Sequence, residues 1–392
     1  MLTSLALIFL CGIALGWIFE KLRLPRLVGM LLTGMLLGPY AFGLLDGSIL
    51  SISADLRQLA LIIILIKAGL SLNLSDLKKV GRPAILLSFL PAICEILAVV
   101  LLAPPLLGVS RLDTAIMGAV LGAVSPAVVV PKMVQLMEQR RGTAKGIPQM
   151  ILAGASLDDV FVIVLFTAFT GLAQGEQVSA WSFASVPVSI VTGLVGGALV
   201  GCGIAVLFRR VHLRDSVKIL ILLGVSFLLV AAEGWLDGAV PFSGLLAVMA
   251  AAVAVQRLHG VAAGRLSVRF SKLWVAAEIV LFVLVGAAVN LRSAADAGFG
   301  VIALILLALV LRSAGVWLCL LRTRLNRKER LFCVIAYLPK ATVQAAIGSV
   351  PLAMGLPCGA IVLTVAVVSI LITAPLGAIG MDLTSDRLLD AE

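Results

Sequence analysis

The sequence predicts an all-α polytopic membrane protein of about thirteen transmembrane helices, built as two six-helix repeats of inverted topology with crossed, broken helices. Three observations carry that expectation. The 392 residues are 61% apolar and only 13% charged, with a mean hydropathy of +1.18, whereas soluble domains run near half apolar and a quarter charged. Apolar stretches of about 17–25 residues recur along the chain, enough to cross a hydrocarbon core about 30 Å thick at about 1.5 Å per residue. Lys and Arg gather in alternate loops between those stretches. A soluble Rossmann, barrel or sandwich enzyme is thereby excluded. So is a β-barrel, because the spans are continuously apolar rather than alternating.

In chain order the spans lie near 2–19, 24–40, 56–74, 83–104, 113–134, 147–172, 182–208, 216–235, 240–256, 273–290, 298–320, 331–350 and 357–380. The first lacks a basic leading region and an A-x-A cleavage site, so it reads as a membrane helix and not a signal peptide. Only short loops remain between spans, which leaves no room for a soluble catalytic domain and argues against an enzyme. One set of alternate loops, together with the tail, holds 24 of the 30 Lys and Arg residues, from Lys21, Arg23 and Arg26 through Lys78 and Lys79 to Arg387. The other side holds Arg57, Arg111 and Arg292. This asymmetry places the N-terminus outside and the C-terminus in the cytoplasm of a cell (inner) membrane. The net charge of +10 is accordingly topological, and no nucleic-acid partner is expected. The six cysteines lie scattered in apolar segments without CxxC spacing and read as small packing residues. His212 and His259 both fall in loops, so no histidine metal centre is expected.

The halves echo each other at a near-constant offset. Pro25 pairs with Pro241 at 216 residues, Gly69 with Gly286 at 217, and Pro126 with Pro339 at 213. Six spans precede the seventh and six follow it, so the two units begin on opposite sides. Secondary transporters use such inverted repeats, with the substrate site near the midplane on discontinuous helices. The fifth and twelfth spans fit that role: Pro126 and Pro131 interrupt one and Pro339 the other, each removing an amide donor and freeing a carbonyl. Val124 and Ser125 would offer oxygens at the first break and Thr342 at the second. The seventh span carries Gly193, Gly197 and Gly201, a stripe suited to close packing within the chain rather than to a dimer seam.

Charge inside a span costs about 2.5–3.5 kcal/mol on insertion scales, so each instance needs a reason. Asp158 and Asp159 sit mid-way along the sixth span, too far from either end to snorkel. Adjacent helical residues point ~100° apart, which excludes a shared-proton dyad of the aspartic-protease kind. One carboxylate can face a cavity while the other faces a protein partner. Ala155, one turn before Asp159, leaves room for an ion to approach the backbone. Carboxylate and freed carbonyl oxygens suit Na⁺ or Li⁺, and the same carboxylate can bind H⁺ instead. Glu95 and Arg312 are also 217 apart, which suggests a structural ion pair between the fourth and eleventh spans. Lys340 could neutralise helix-end carbonyls at the second break or pair with Asp158 or Glu95. Lys67 reads as a snorkelling residue. Glu278 reads as lying near the cytoplasmic end of the tenth span.

The motifs GAVSPAVVVPKM, ASLDDV and LPKATVQAAIG together resemble the NHA group of sodium/proton exchangers, within the monovalent cation:proton antiporter superfamily and of its double-aspartate type. The similarity extends over nearly the whole chain. It implies ion binding at Asp158 and Asp159, with Asp159 the principal ligand, and crossing helices around Ser125–Pro126 and Pro339–Thr342. It further implies scaffold or dimerisation helices over 1–82, core helices over 83–172, a linker with further scaffold helices over 173–292, core helices over 293–380, a short tail over 381–392, and a homodimer in lipid. Many double-aspartate relatives carry lysine where this chain has Arg312. An arginine does not give up its proton, so Arg312 is assigned with Glu95 to structure. The expected activity is Na⁺ (or Li⁺)/H⁺ antiport by alternating access, with no cofactor beyond the transported ions. A K⁺/H⁺ antiporter and a cation channel or receptor on the same scaffold are the alternatives. An organic-anion symporter conflicts with the paired aspartates, and an intramembrane aspartic protease with their geometry and the lack of a GxGD loop.

Overall fold

With water absent from a bilayer core, every backbone N–H and C=O of a spanning segment must find its partner inside the protein, and helices do this within a single segment. The computed structural model follows that constraint. It describes residues 1–71, 81–174, 180–211, 213–236 and 240–390, excepting the side chains of 156, 180–187 and 291–297. Lys78, Lys79, His212 and the side chain of Arg292 lie outside the described residues. Among the described residues there are eighteen helices and no strand. They are α1 (Leu2–Lys21), α2 (Arg26–Leu37), α3 (Gly47–Ser51), α4 (Ser53–Ser71), α5 (Arg82–Leu87), α6 (Leu90–Leu107), α7 (Arg111–Leu121), α8 (Pro126–Glu138) and α9 (Ile147–Gln174). They continue as α10 (Ala180–Arg210), α11 (Asp215–Trp235), α12 (Gly244–Leu258), α13 (Gly260–Ala287), α14 (Leu291–Cys319), α15 (Arg327–Ala336), α16 (Thr342–Gly348), α17 (Val350–Ala353) and α18 (Gly359–Leu388).

Among the described residues, nine helical segments are long and apolar enough to cross a membrane. Three further apolar segments are shorter: Arg26–Leu37, Gly244–Leu258 and Thr342–Ala353. The chain forms two compact units. One comprises Met1–Ala54, Ser75–Val162 and Ile279–Glu392; the other comprises Asp55–Leu74 and Ile163–Glu278.

In the first unit, α1 buries Ser4, Ile8, Gly12 and Gly16, a row spaced four residues apart, and leaves Leu2, Leu10 and Trp17 exposed for lipid. Small residues at that spacing let helices approach closely where no hydrophobic drive separates protein from solvent. The short α2 is buried on nearly every side. A Cβ on Gly34 would fall 1.9 Å from the Val283 carbonyl oxygen, and one on Gly286 would fall 2.2 Å from that of Leu31, so α2 and the C-terminal part of α13 meet backbone to backbone. Helix α6 packs along both α7 and α14. At the chain's end, Asp382, Asp386 and Asp390 face Lys132 (2.7 Å), Arg141 (3.2 Å) and Lys145 (4.0 Å). Pairs this exposed contribute little stability each; Leu389, 4% exposed, does more to dock the terminus.

The second unit is organised by α10 lying on α12. The stripe Gly193, Gly197 and Gly201 fits against Ser243, Ala247 and Ala251, so it is occupied within the chain. The entry to α12 is tied down on both sides of Pro241. Ser243 N–H donates to Ser189 O (3.2 Å), Thr192 Oγ1 donates to Pro241 O, and Gly244 N–H donates to Glu233 Oε2 (2.9 Å).

The tenth span departs most from the sequence expectation. Helix α13 is continuous from Gly260, well before residue 273. Arg265, Arg269 and Lys272 therefore ride on helix rather than loop, because Arg and Lys are good helix formers and no proline intervenes. Glu278 lies about five turns into α13 and is 3% exposed, buried rather than near one end.

The glycine stripe supplies a paired test. A Cβ on Gly197 would sit 2.1 Å from the Ala247 carbonyl oxygen, whereas one on Gly203 of the same helix meets nothing within 4 Å. Thermal unfolding in detergent should show Gly197→Ala destabilised by about 1–3 kcal/mol and Gly203→Ala unchanged or raised by up to about 1 kcal/mol. Equal shifts would contradict this packing.

Candidate ion-binding site

Two helix interruptions define the site. Helix α7 stops at Leu121 and α8 starts at Pro126, so the first break is 122–125. The sequence placed Pro126 and Pro131 inside the interrupted region; the structure puts the break just ahead of Pro126 and leaves Pro131 within α8. The reason is local. A proline at the first helical position loses an amide that has no helical partner there, and it drives the preceding residue out of the α region. Ser125 accordingly has φ −87°, ψ 111°. The second break separates Ala336, the end of α15, from Thr342, the start of α16, and contains Pro339.

A break leaves carbonyls without partners at one helix end and amides at the other. Here the two breaks satisfy each other. Ser125 N–H donates to Pro339 O (2.8 Å). Gln344 accepts from Ala341 N–H through Oε1 (2.8 Å) and donates through Nε2 to Ala123 O (2.8 Å). Lys340 N–H donates to Thr373 Oγ1 (3.0 Å). Carbonyls at a helix C-terminus carry partial negative charge, and cations meet them. Lys340 Nζ donates to Leu121 O, while Arg312 donates to Gly122 O and, through Nε, to Tyr337 O (2.8 Å).

Those cations are in turn matched by carboxylates. Glu95, on α6 and 1% exposed, accepts through Oε2 from Arg312 (2.8 Å) and Lys340 (2.7 Å). Asp158, on α9 and fully buried, accepts through Oδ2 from Val124 N–H (2.7 Å) and Arg312 Nη2 (3.2 Å). Arg312 thus bridges two carboxylates and both breaks with one planar group, a task for which its fork of donors suits it and a lysine does not. Its guanidinium carbon also lies 5.8 Å from the centroid of the Tyr337 ring.

Asp159 is placed differently. It is half-buried, and no hydrogen bond or ion pair reaches it among the described residues. Its Oδ1 belongs to a group of buried oxygens without a hydrogen-bond partner among those residues: Ser125 Oγ, Asp158 Oδ1, Asp159 Oδ1 and Thr342 Oγ1. Ala155 is buried one turn before Asp159, and Val124 is buried beside Ser125. Direct bonds therefore join Glu95, Val124, Asp158, Arg312 and Lys340 into one network, and Ser125 adjoins it through Pro339 O. Thr342 adjoins it through the second break, and Asp159 and Ala155 adjoin it through α9. Leaving a buried polar atom unpaired costs about 1–3 kcal/mol. Two of these oxygens lie at the breaks and two on α9, and carboxylate and hydroxyl oxygens are ligands of the kind that Na⁺ takes and, for a carboxylate, a proton can replace.

A model of the family described as "Sodium/hydrogen exchanger, transmembrane" matches residues 5–382. The chain belongs to the sodium/hydrogen exchanger family. It is 33% identical to sodium/hydrogen exchanger 9B2 of Homo sapiens, over 99% of this chain and 75% of that protein. It is 30% identical to sodium/hydrogen exchanger 9B1 of Homo sapiens, over 99% of this chain and 78% of that protein. The fold matches the structure of the sodium proton antiporter MjNhaP1 from Methanocaldococcus jannaschii, with a TM-score of 0.84 at 20% identity, covering 99% and 98% of the two chains. This member of the exchanger family is a multi-pass, all-helical membrane protein.

Sequence reasoning missed Gln344, Thr373 and Tyr337. Gln344 was open to detection, as an amide inside an apolar run must find partners. Tyr337 is 1% exposed, and its hydroxyl lies so close to α9 that a Cβ on Gly154 would be 2.1 Å away; nothing in the sequence announces that contact.

The network and Asp159 should respond oppositely to neutralisation. Glu95→Gln leaves buried Lys340 without its carboxylate and Arg312 with Asp158 alone, and should lower stability by about 3–5 kcal/mol. Asp159→Asn removes a carboxylate without a protein partner and should leave the thermal midpoint unchanged or higher. Scanning both variants in the same detergent checks this; a loss in Asp159→Asn as large as in Glu95→Gln would contradict the assignment.

Proposed function

We propose that this chain is a secondary antiporter that exchanges Na⁺, or Li⁺, for H⁺ by alternating access, rather than an enzyme, and that cation and proton compete for Asp159 with Asp158 beside it. The observation that carries this reading is a set of buried oxygens without a hydrogen-bond partner among the described residues, Ser125 and Thr342 at the two breaks and Asp158 and Asp159 on α9, which Asp158 bonds to the first break through Val124 N–H. Val124 and Ala155 complete the site by offering backbone oxygen and space. Glu95, Arg312 and Lys340 hold its charge and shape. The names of the relatives, sodium/hydrogen exchangers and a sodium proton antiporter, agree with this activity.

The finer architecture belongs to the same proposal: thirteen spans, an inverted repeat, and an ion-transport core formed by 83–172 and 293–380, which contain every site residue named. Matching contacts support the repeat. Gly69 would place a Cβ 2.9 Å from Met249 O and 2.6 Å from the Ala252 Cβ, while Gly286 meets Leu31 and Met35. Adding the 217-residue offset to Leu31 and Met35 reaches Val248 and Ala252, the same surface of the partner helix. The protein would work as a homodimer in the lipid of a cell membrane, its N-terminus outside and its C-terminus cytoplasmic.

Charge count supports a one-for-one stoichiometry for the proposed exchange. Glu95, Asp158 and Asp159 supply three negative charges against two positive charges on Arg312 and Lys340, leaving one to be neutralised. One Na⁺ or one H⁺ does so equally, which makes one-for-one, electroneutral exchange the expected cycle.

Proteoliposome flux tests the reading. Wild-type protein should exchange Na⁺ or Li⁺ for H⁺ at a rate indifferent to an imposed membrane potential, and Asp159→Asn should fall to background. Because protons compete for the same carboxylate, the apparent KM for Na⁺ should rise as pH falls, with the maximal rate much less affected. Full exchange by Asp159→Asn would refute the site. Saturable current without a proton gradient would indicate a channel, and exchange of K⁺ in preference to Na⁺ would reassign the ion.

A further inference from the structure

Away from the ion site, the second unit has a cavity of about 490 Å³ lined by Phe208, Arg209, Leu213, Arg214, Lys218, His259 and Arg265. Its lining is strongly cationic. The cavity lies at the N-terminus of α11, where the helix dipole is positive and anions, not cations, are stabilising. Arg214 is nevertheless the N-cap residue, it makes no side-chain cap hydrogen bond, and Lys218 follows one turn later. Lys218 is 5% exposed. Its Nζ lies 5.3 Å from the centroid of the Phe208 ring, and among the described residues no carboxylate forms an ion pair with it, with Arg209 or with Arg214. Asp215, the acid in the first turn of α11, is engaged by Arg265 (3.3 Å) and Arg269 (3.2 Å).

Topogenic charge explains how many cations a loop carries. It does not explain why a nearly buried lysine and two arginines, none ion-paired to a carboxylate among the described residues, converge on one concavity at a helix N-terminus. The surrounding potential also registers on His259, whose pKa lies below the ordinary imidazole value through burial first and then through Lys218, Arg209 and Arg265. Neighbouring turns present exposed Leu207, Val211, Val217 and Leu220, an apolar rim suited to acyl chains.

We propose that this cavity binds a phosphate-ester anion, held by Arg209, Arg214 and Lys218 with the first amides of α11. Basic pockets between transmembrane helices take phospholipid headgroups in this manner, and a soluble phosphate compound offers the same chemistry. The site is independent of the ion-binding residues.

The full-length protein, purified in neutral detergent, is titrated with phosphatidylglycerol, with phosphatidylcholine and with pyrophosphate, and thermal stability is followed. Wild type should be stabilised by phosphatidylglycerol over phosphatidylcholine, by pyrophosphate, or by both, and the responding probe assigns the source. Lys218→Gln should weaken the response about tenfold in concentration, as loss of one charge-assisted hydrogen bond implies. Arg209→Gln, an exposed change safe for folding, should weaken it in the same direction. Arg257→Gln, which removes the same charge outside the cavity, should respond as wild type. No response from wild type to either anion, or equal responses from wild type, Lys218→Gln and Arg209→Gln, would overturn the proposal.

Discussion

The contact on which the site depends is the guanidinium of Arg312, buried completely between Glu95, Asp158 and the carbonyls of Gly122 and Tyr337. Two interrupted helices inside a membrane protein leave carbonyl ends that water cannot solvate. A neutral donor could satisfy one of them. A planar cation with several fixed donors can satisfy both and join the carboxylates that make its own burial tolerable. The dependence is mutual, since the breaks need the cations, the cations need Glu95 and Asp158, and the carboxylates would be prohibitive in a dry interior without them. Lys340 completes the circuit from within the second break, reaching Glu95 and Leu121 across the junction.

Adjacency divides the two aspartates. Their side chains leave α9 about 100° apart, so a helix that aims Asp158 at Arg312 must aim Asp159 elsewhere. The structure shows that separation as a difference in company: Asp158 Oδ2 has two donors, and Asp159 has none among the described residues. A carboxylate bound to an arginine and a backbone amide has a fixed position. Its neighbour, joined to the same backbone but unpartnered, inherits that position while keeping its oxygens free. Fixing one acid thus orients the other.

Much of this could be read from sequence because charge within a span is rare. Glu95, Asp158, Asp159, Arg312 and Lys340 stand out against the apolar background, and the 217-residue offset placed Glu95 opposite Arg312. Backbone groups leave no such trace. The carbonyls of Leu121, Gly122 and Ala123, which take donors from Lys340, Arg312 and Gln344, follow from where α7 ends. Proline marked that end only approximately, since Pro126 begins the next helix rather than lying in the break. The extent of α13 was hidden for a related reason. Apolar runs report membrane depth, and a helix carrying Arg265, Arg269 and Lys272 continues beyond it. The short α2 and α12 were read as longer spans because their flanking turns are equally apolar.

On the proposed function, the charge count also explains why the protein would exchange ions rather than leak them. With Asp159 ionised and unloaded, the cluster holds one uncompensated negative charge away from bulk water. Moving a lone charge through a medium of low dielectric is far costlier than moving a neutral assembly. A proton or a sodium ion on Asp159 removes that charge, so either loaded form can cross while the empty form is held back. Arg312 supplies to this asymmetry a charge that stays fixed under all conditions, and the count stays constant through the cycle as long as Lys340 also keeps the proton it donates to Glu95 and Leu121 O. A residue able to release its proton would change the charge of the moving assembly and link the rate to membrane voltage. Coupling then rests on a single carboxylate left over after the other four charges of the cluster have been matched.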